Sequence, residues 1–325
     1  MSAHGGTRAV VAALLANGFI ALTKFGAWAL TGASSMLAEA VHSVADTGNQ
    51  TLLLRGGRRA KRSATEEHPF GYGRERYISA FLVAIILFSL GGLFALYEAF
   101  HKYEEVVGGH PNELLEGPWW WVPVVVLVGA IIAESLSFRT AIRESTPVKG
   151  RQSWARFIRT AKSPELPVIL LEDAAALFGL IFALFGVGMT LLTHNGIWDV
   201  VGTGMIGLLL IVVAVTLALE TKSLLLGEAA SPEVVARIRA ALDGAEGVQR
   251  VIHLKTLHLG PEEVLVAAKI AVEPTDSAAR VAEVINAAEA SIRASEPSVT
   301  SLYLEPDIDT ATVDTSTATQ SPRQP

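Results

Sequence analysis

Six long apolar stretches constrain this chain more than any other feature of its sequence. They lie at about residues 8–31, 35–55, 77–100, 118–142, 166–193 and 199–225. A helix needs about 20 mostly apolar residues to cross the hydrocarbon core of a bilayer. The sequence therefore predicts an α-helical membrane domain with six transmembrane helices. Only 18% of the residues are charged, against roughly 25% in soluble domains, which agrees with this prediction.

The connections between these stretches differ in charge. Arginine and lysine are concentrated after the second and fourth stretches, whereas the loop at Glu104–Glu116 is acidic. By the positive-inside rule the basic connections face the cytoplasm, and an even number of spans then places both termini there. We therefore expect a multi-pass integral membrane protein in a plasma membrane of bacterial type. The basic residues are Arg55, Arg58, Arg59, Lys61, Arg62, Arg74 and Arg76 in the first group, and Arg139, Arg143, Lys149, Arg151, Arg156, Arg159 and Lys162 in the second.

The pattern changes at Pro232. Ser231 is placed to cap a helix whose first position is that proline. The predicted elements are a helix at 232–243, strands at 248–259 and 263–273, a helix at 276–294 and a strand at 299–304. This αββαβ order predicts a ferredoxin-like α+β domain with its helices on one face of a sheet. The predicted domains are 1–228 in the membrane, 229–307 in the cytoplasm, and a disordered Thr/Ser/Pro-rich tail at 308–325.

Several polar residues interrupt the apolar stretches. His42 and Asp46 are four residues apart, so a helix stacks them on one face, and Asn49 continues that stripe. Glu172 and Asp173 are adjacent within the fifth stretch. Two carboxylates at membrane depth repel each other and are costly to bury without compensation, and a divalent cation removes both objections. With no cysteine in the chain, His, Asp and Glu are the ligands left for a metal.

Structural roles are the alternative for each of these residues. His42 alone could make an interhelical hydrogen bond, and Asp46 could pair with Lys24 of the first helix, unless Lys24 extends to the membrane interface. The acidic pair Glu172–Asp173 could be bonded to loop arginines. Glu134 in the fourth stretch suits a supporting contact or the ion pathway equally well. A purely structural role for the whole set is disfavoured, because ionisable residues inside a membrane are usually functional.

Four segments resemble the cation diffusion facilitator family of metal transporters. The segment Ala38–Asp46 (AEAVHSVAD) is similar to the family's second-helix signature, and His68–Arg76 (HPFGYGRER) is similar to its loop motif. Asn17 and the segment Leu226–Ala229 match in place as well. The resemblance covers residues 8 to 306 and implies a homodimer that exports Zn²⁺ or a similar ion from the cytosol in exchange for protons. For the loop motif we expect an interhelical or dimer contact rather than a ligand role.

One departure from the family pattern concerns the fifth helix. The family has His-x-x-x-Asp there, and alignment on Asp173 places Ile169 at the histidine position, so that Glu172 is the expected replacement. The pattern Leu170–Ala175, with Asp46–Gln50, resembles the branch that contains the mitochondrial zinc transporter of animals. The resemblance thus implies a metal site of His42, Asp46, Asp173 and Glu172, with Asn49, Asn17, Lys24 and Glu134 in supporting positions.

The cytoplasmic domain offers a second group of candidate ligands. His253 and His258 lie on its first strand, and Glu305 follows its last. Residues five apart on a strand face opposite sides, so at most one histidine can join a given site. Exposed histidines without a ligand role are the favoured interpretation, and the resemblance adds regulatory metal binding as the alternative.

Several other functions remain to be distinguished from proton-coupled Zn²⁺ transport. A passive cation channel could use the same helices, and Mn²⁺, Fe²⁺ or Co²⁺ could replace Zn²⁺. A membrane metalloenzyme is disfavoured because no catalytic motif accompanies the ligands, and a sensor would not need the polar stripe.

No cofactor beyond the transported ion is expected, and the expected partners are a second copy, the lipid bilayer, metal ions and protons. Nucleic acid is excluded, since no long basic stretch with interleaved aromatics is present.

Overall fold

The computed structural model describes residues 18–308, which form two compact units. The first unit comprises the chain up to Arg59 together with Glu75–Lys222, and the second comprises Ala60–Arg74 together with the chain from Ser223 onward. The loop at 60–74 thus belongs to the second unit although it joins two helices of the first. The predicted tail lies, except for residue 308, outside the described residues.

The first unit is built from helices. They are α1 at 18–31, α2 at Ser34–Ala60, α3 at Glu75–Val107, α4 at Glu113–Glu116, α5 at Val122–Lys149, α6 at Trp154–Thr160, α7 at Glu165–Thr193 and α8 at Ile197–Leu226. Helix α3 widens to a π-helix over Leu87–Leu93 and then continues. Within the described part of the chain, α3, α5, α7 and α8 are long and apolar enough to cross a membrane. Helix α2 fails that criterion because its apolar residues are interrupted by polar ones, and α1 is described only from residue 18.

The helices extend beyond the predicted apolar stretches. Helix α2 has 27 residues and α5 has 28, so both are longer than the roughly 20 that a bilayer core requires. Arg58 and Arg59 therefore lie in the last turn of α2, and Lys149 in the last turn of α5, rather than in connections as predicted. Long basic side chains at helix ends can still reach water while their stems stay apolar.

Helices α7 and α8 cross with their backbones in contact. A Cβ atom on Gly186 would lie 2.9 Å from the carbonyl oxygen of Trp198, and one on Gly202 would lie 2.8 Å from that of Phe182. Glycine is required at both positions, because neither backbone neighbour can move without displacing a helix. This crossing holds α7, which carries Glu172 and Asp173, at a fixed distance from α8.

The second unit contains a three-stranded sheet and two helices. Its elements are α9 at Pro232–Asp243, β1 at Arg250–Gly260, β2 at Glu263–Ala271, α10 at Ala278–Ser295 and β3 at Val299–Asp307. The strand order is β1-β2-β3, with β1 antiparallel and β3 parallel to β2. Ser231 accepts a hydrogen bond from the amide of Val234, which confirms the predicted helix cap. The αββαβ order is confirmed, and Ile238, Ile270 and Ile292 lie in the core between helices and sheet.

The loop at 60–74 packs on the β1–β2 hairpin. A Cβ atom on Gly260 would lie 2.9 Å from the Cα atom of Gly73, so the two backbones are in contact. The ring of His68 packs edge-on against that of Tyr72, with centroids 4.6 Å apart. The contacts of this motif within the chain are with the β1–β2 hairpin, and its expected interhelical or dimer contact stays a prediction. Leu257 and Leu265 of the hairpin line a cavity of about 370 Å³ with the loop.

An ion pair joins the two helices of the second unit through Glu296. Arg237 of α9 donates from Nη2 to Glu296 Oε2 at 2.6 Å, and Ser298 Oγ donates to Oε1 at 2.8 Å. Burial raises the pKa of Glu296, but these hydrogen bonds outweigh burial, and the pKa lies below its usual range. The carboxylate thus stabilises the unit above the pKa of an unfolded glutamate, and this contribution is lost as the pH falls through the depressed value.

We expect Glu296→Gln to lower the free energy of unfolding of this unit by about 1 kcal/mol at pH 7, because the charge-assisted bonds from Arg237 weaken. Hydrogen exchange of the β3 amides in the full chain measures the effect, as the difference between variant and wild type at each pH. The difference should shrink as the pH falls through the lowered pKa of Glu296. The control is Glu289→Gln, which changes an acid of α10 that has no such bond to any residue between 18 and 308. An equal effect of that variant would contradict the assignment.

Candidate metal site

The predicted pair on α2 meets in the interior of the first unit. His42 is 1% exposed, and its Nε2 lies 3.5 Å from Asp46 Oδ2. Among the described residues, neither ring nitrogen of His42 has a hydrogen-bond partner, and neither has Asp46 Oδ1. Buried polar atoms normally have a hydrogen-bond partner. The unpartnered atoms of this pair are therefore open to a cation or a proton.

The two acids of α7 are held by different neighbours. Asn49 donates from Nδ2 to Glu172 Oε1 at 2.7 Å, and Ser137 of α5 donates from Oγ to Asp173 Oδ2 at 2.9 Å. The divergence follows from the helix, in which adjacent side chains point about 100° apart. Glu172 therefore faces α2, whereas Asp173 faces α5.

A cavity of about 300 Å³ unites most of the predicted residues. Its wall is formed by side chains of α1, α2, α5 and α7, and four of them are carboxylates. His42 lies outside this lining, one helical turn before Asp46. The lining residues are Ile20, Lys24, Ser43, Asp46, Gln50, Ala130, Ala133, Glu134, Ser137, Glu172, Asp173, Ala176 and Leu180.

The ligands are not yet arranged as a coordination shell. Across residues 18–308, no three His, Asp or Glu side chains are close enough together to hold one metal ion. The amide of Asn49 orients Glu172 through Oε1, and Oε2 takes no part in that hydrogen bond.

The two interpretations of Lys24 are both corrected. Lys24 is 3% exposed, so it does not extend to the membrane interface. Its Nζ donates to Glu39 Oε2 at 2.9 Å and to Ser43 Oγ at 2.8 Å, so its partner is Glu39 rather than Asp46. An ammonium group in a low-dielectric interior needs a carboxylate, and Glu39 is the acid that α2 presents at that depth. Asn17 lies outside the described residues.

The candidate ligands of the second unit are not brought together. His253 is exposed, and His258 is buried, with its Nδ1 3.1 Å from the carbonyl oxygen of Gly260. Lys269 Nζ lies 3.2 Å from Glu305 Oε1 and 2.6 Å from Asp307 Oδ2, so one lysine forms ion pairs with both acids. These contacts give no support to the predicted metal site at His258, His253 and Glu305.

Sequence reasoning missed Glu39, Ser137 and Asp199. Glu39 lies within the segment that contains His42 and one turn before it, so the spacing could have identified it. Ser137 carries no such signal, because serine is common in membrane helices. Asp199 accepts hydrogen bonds from Ser34 and Ser35, far away in the sequence, and no local pattern predicts that contact.

Comparison with known proteins follows the same division of the chain. The profile of the cation efflux transmembrane domain matches residues 10–226, and that of the cation efflux protein cytoplasmic domain matches residues 230–306. The chain is 32% identical over 270 residues to the proton-coupled zinc antiporter SLC30A9, mitochondrial, of Mus musculus, with 82% of this chain and 46% of that protein covered. It is 28% identical over 258 residues to metal tolerance protein C4 of Arabidopsis thaliana, with 78% and 54% covered.

The chain thus spans about half the length of these curated relatives. Among solved structures, a variant of the MamM C-terminal domain is 28% identical to the matched part. That match covers 23% of this chain and 90% of the other, with a TM-score of 0.23.

Proposed function

This chain belongs to the cation efflux family, the cation diffusion facilitators, and we propose that it is a secondary active transporter of divalent transition-metal cations. The observation that carries the proposal is the cavity of the first unit, in which Asp46, Glu134, Glu172 and Asp173 converge. Four carboxylates around one space inside an apolar helix bundle favour occupation by a dication. The family is one of transporters, which confirms the expectation that the chain is not an enzyme.

Zn²⁺ is the proposed main substrate. One imidazole from His42 with carboxylates from Asp46 and Asp173 gives the mixed nitrogen and oxygen set that tetrahedral Zn²⁺ accepts. The same set also binds Mn²⁺, Fe²⁺ and Co²⁺, so the ranking among metals is part of the test. The name of the mouse relative, a zinc antiporter, supports Zn²⁺ as the first ion to examine.

Exchange with protons is the proposed source of energy. A metal requires neutral histidine and ionised carboxylates, so binding releases protons and protonation expels the metal. Histidine changes its charge most easily in the physiological range, and His42 is the proposed carrier of one exchanged proton. The direction proposed is out of the cytosol, as for a proton-driven exporter.

The architecture proposed for this function has six spans, with α1 and α2 completing the four apolar helices. Helix α2 crosses the membrane because its polar residues face the cavity rather than lipid. The proposed domain limits are 1–228 and 229–307, with both termini in the cytoplasm of a bacterial-type cell. The match of the cytoplasmic domain profile supports a homodimer.

Purified protein in liposomes tests the proposal directly. With Zn²⁺ outside and a pH step that places the lumen more acidic, we expect uptake well above that without the step. Mn²⁺, Fe²⁺ and Co²⁺ under the same conditions rank the metals. A passive channel would give uptake that follows the metal gradient and ignores the pH step, and that outcome would replace the antiport mechanism.

His42→Ala examines the proton carrier under the same pH steps. If the variant transports Zn²⁺ with undiminished dependence on the step, His42 does not carry the exchanged proton.

A further inference from the structure

We propose that Ser137 of α5 determines which ions the transport site accepts, because its hydrogen bond leaves Asp173 with one free oxygen. The inference rests on the proposed transport function and concerns a residue that does not itself bind metal. A carboxylate with one free oxygen supplies a single ligand, and a site built from single ligands favours ions of low coordination number. Ser137 thus favours Zn²⁺ over Mn²⁺.

The first observation is the direction of the Ser137 hydroxyl. Serine and threonine within a helix commonly donate to the carbonyl oxygen four residues earlier. On α5, Ser135 Oγ donates in this way to the carbonyl oxygen of Ile131 at 2.7 Å, and Thr140 makes the same kind of bond. Ser137 Oγ instead donates to Asp173 Oδ2 of α7 at 2.9 Å. The Ser137 hydroxyl therefore serves an acid of the cavity rather than its own helix.

The second observation concerns the oxygens that stay free on the two acids of α7. Apart from the bond from Ser137 to Oδ2, Asp173 has no hydrogen bond with any residue between 18 and 308. Glu172 is arranged in the same way, since Asn49 bonds to Oε1 and leaves Oε2. Both donors are uncharged, so they orient the carboxylates without neutralising them. Each acid therefore offers the cavity one oxygen and its full charge.

Two other buried acids of the first unit show what a structural carboxylate looks like in this fold. Glu39 is bonded to the ammonium group of Lys24, which neutralises it. Asp199 uses both oxygens, because Oδ2 accepts from Ser34 and Oδ1 accepts from Ser35. The acids of α7 differ from both, since they have neither a cation nor a second donor. Their bonding is that of ligands held in one orientation.

Coordination chemistry links this orientation to ion choice. One oxygen from each acid of α7, with His42 and one oxygen of Asp46, makes four ligands, the number that Zn²⁺ takes. Mn²⁺ favours six ligands, most of them oxygen. Asp173 could supply a second oxygen to such an ion only if Ser137 released Oδ2. The hydroxyl of Ser137 therefore disfavours the larger coordination number.

Competition between Zn²⁺ and Mn²⁺ for the purified full chain tests this inference. Ser137→Ala removes the hydrogen bond, so both oxygens of Asp173 become available to one ion. We expect the ratio of the Mn²⁺ to the Zn²⁺ dissociation constant to fall by roughly tenfold, the size of effect that hydrogen bonds to metal ligands have elsewhere. Ser137→Thr keeps the hydroxyl and should restore the ratio of the wild type.

Bound Co²⁺ reports the coordination number directly. Four-coordinate Co²⁺ absorbs visible light strongly because a tetrahedral site lacks a centre of symmetry, whereas six-coordinate Co²⁺ absorbs weakly. We expect the visible bands per bound ion to be weaker in Ser137→Ala than in the wild type, and to recover in Ser137→Thr. A serine that only stabilised the helix pair would leave these bands unchanged.

Ser135→Ala is the matched control. Ser135 lies two residues away on the same helix and is exposed, as Ser137 is, but its hydroxyl bonds within α5. We expect the ratio and the spectrum of the wild type for this variant. An equal effect of Ser135→Ala, or an unchanged ratio and spectrum in Ser137→Ala, would overturn the inference. An equal loss of affinity for Zn²⁺ and Mn²⁺ in Ser137→Ala would also overturn it, because Ser137 would then support the site without selecting the ion.

Asp173→Asn distinguishes this inference from the proposed function. That variant should lose high-affinity Zn²⁺ binding whether or not Ser137 selects the ion. If Asp173→Asn binds Zn²⁺ as the wild type does, the transport site is misplaced. If it loses binding while Ser137→Ala keeps the ratio and the spectrum of the wild type, the site stands and the selective role of Ser137 does not.

Discussion

Asp46→Asn should reduce Zn²⁺ uptake by reconstituted protein to the level of empty liposomes. Asp46 is the residue at which His42, the cavity and the acids of α7 meet, since its Oδ2 contacts His42 and its side chain lines the cavity. An amide keeps the shape of the carboxylate but removes the negative charge that offsets dehydration of a dication. Loss of one charged ligand from a three- or four-ligand site leaves too little affinity for transport.

The control for this variant lies one residue further along α2. Thr47→Val also removes a polar group from the helix, but Thr47 Oγ1 donates only to the carbonyl oxygen of Ser43, within the same helix. We expect near wild-type uptake and a normal elution profile for that variant. Full transport by Asp46→Asn would move the metal site away from α2 and would contradict the proposed function.

The two acids of α7 should then behave unequally. Both acids line the cavity, but Glu172 is buried and bonded to the amide of Asn49, whereas Asp173 is less buried and bonded to the hydroxyl of Ser137. We expect the less buried acid to turn toward a metal more easily than the buried one. Because adjacent residues of a helix point in different directions, we expect Glu172 and Asp173 to have different roles.

Local spacing explains which parts of the site could be predicted. His42, Asp46 and Asn49 share a face because they are one turn apart, and that follows from helix geometry alone. The helix cap at Ser231 could be predicted for the same reason, since Ser231 and Pro232 act within one turn of the helix that they begin. What local spacing could not give is the partner of each charge. Lys24 was assigned to Asp46 or to the interface, and its actual partner Glu39 depends on how α1 packs on α2.

The contact between Gly73 and Gly260 illustrates the same limit. The loop motif was expected to join helices or subunits, and the structure places it on the β1–β2 hairpin. Nothing within either segment specifies the other, because two glycines in backbone contact leave no side-chain pattern to complement. Such long-range contacts follow from packing of whole elements, which single-sequence reasoning does not resolve.

Asp199→Ala should destabilise the first unit by roughly 3 kcal/mol, because it removes the acceptor for three buried donors. Asp199 belongs to α8 but caps α2, with Oδ2 accepting from the amide of Ser34 at 2.8 Å and Oδ1 accepting from Ser35 Oγ and its amide. These amides are among the first of α2, which have no partner within that helix. An anion at a helix N-terminus is also favoured by the helix dipole.

Thermal unfolding of purified protein measures the loss of stability, and two further variants serve as comparisons. Asp199→Asn keeps one carbonyl oxygen and should lose about half as much stability, since one acceptor remains while the charge is gone. Asp243→Ala removes an exposed acid from the end of α9 and should leave the unfolding midpoint within experimental error. If Asp199→Ala is as stable as Asp243→Ala, the start of α2 is held by other contacts. The cavity geometry around Asp46 would then not depend on the hydrogen bonds from Ser34 and Ser35 to Asp199.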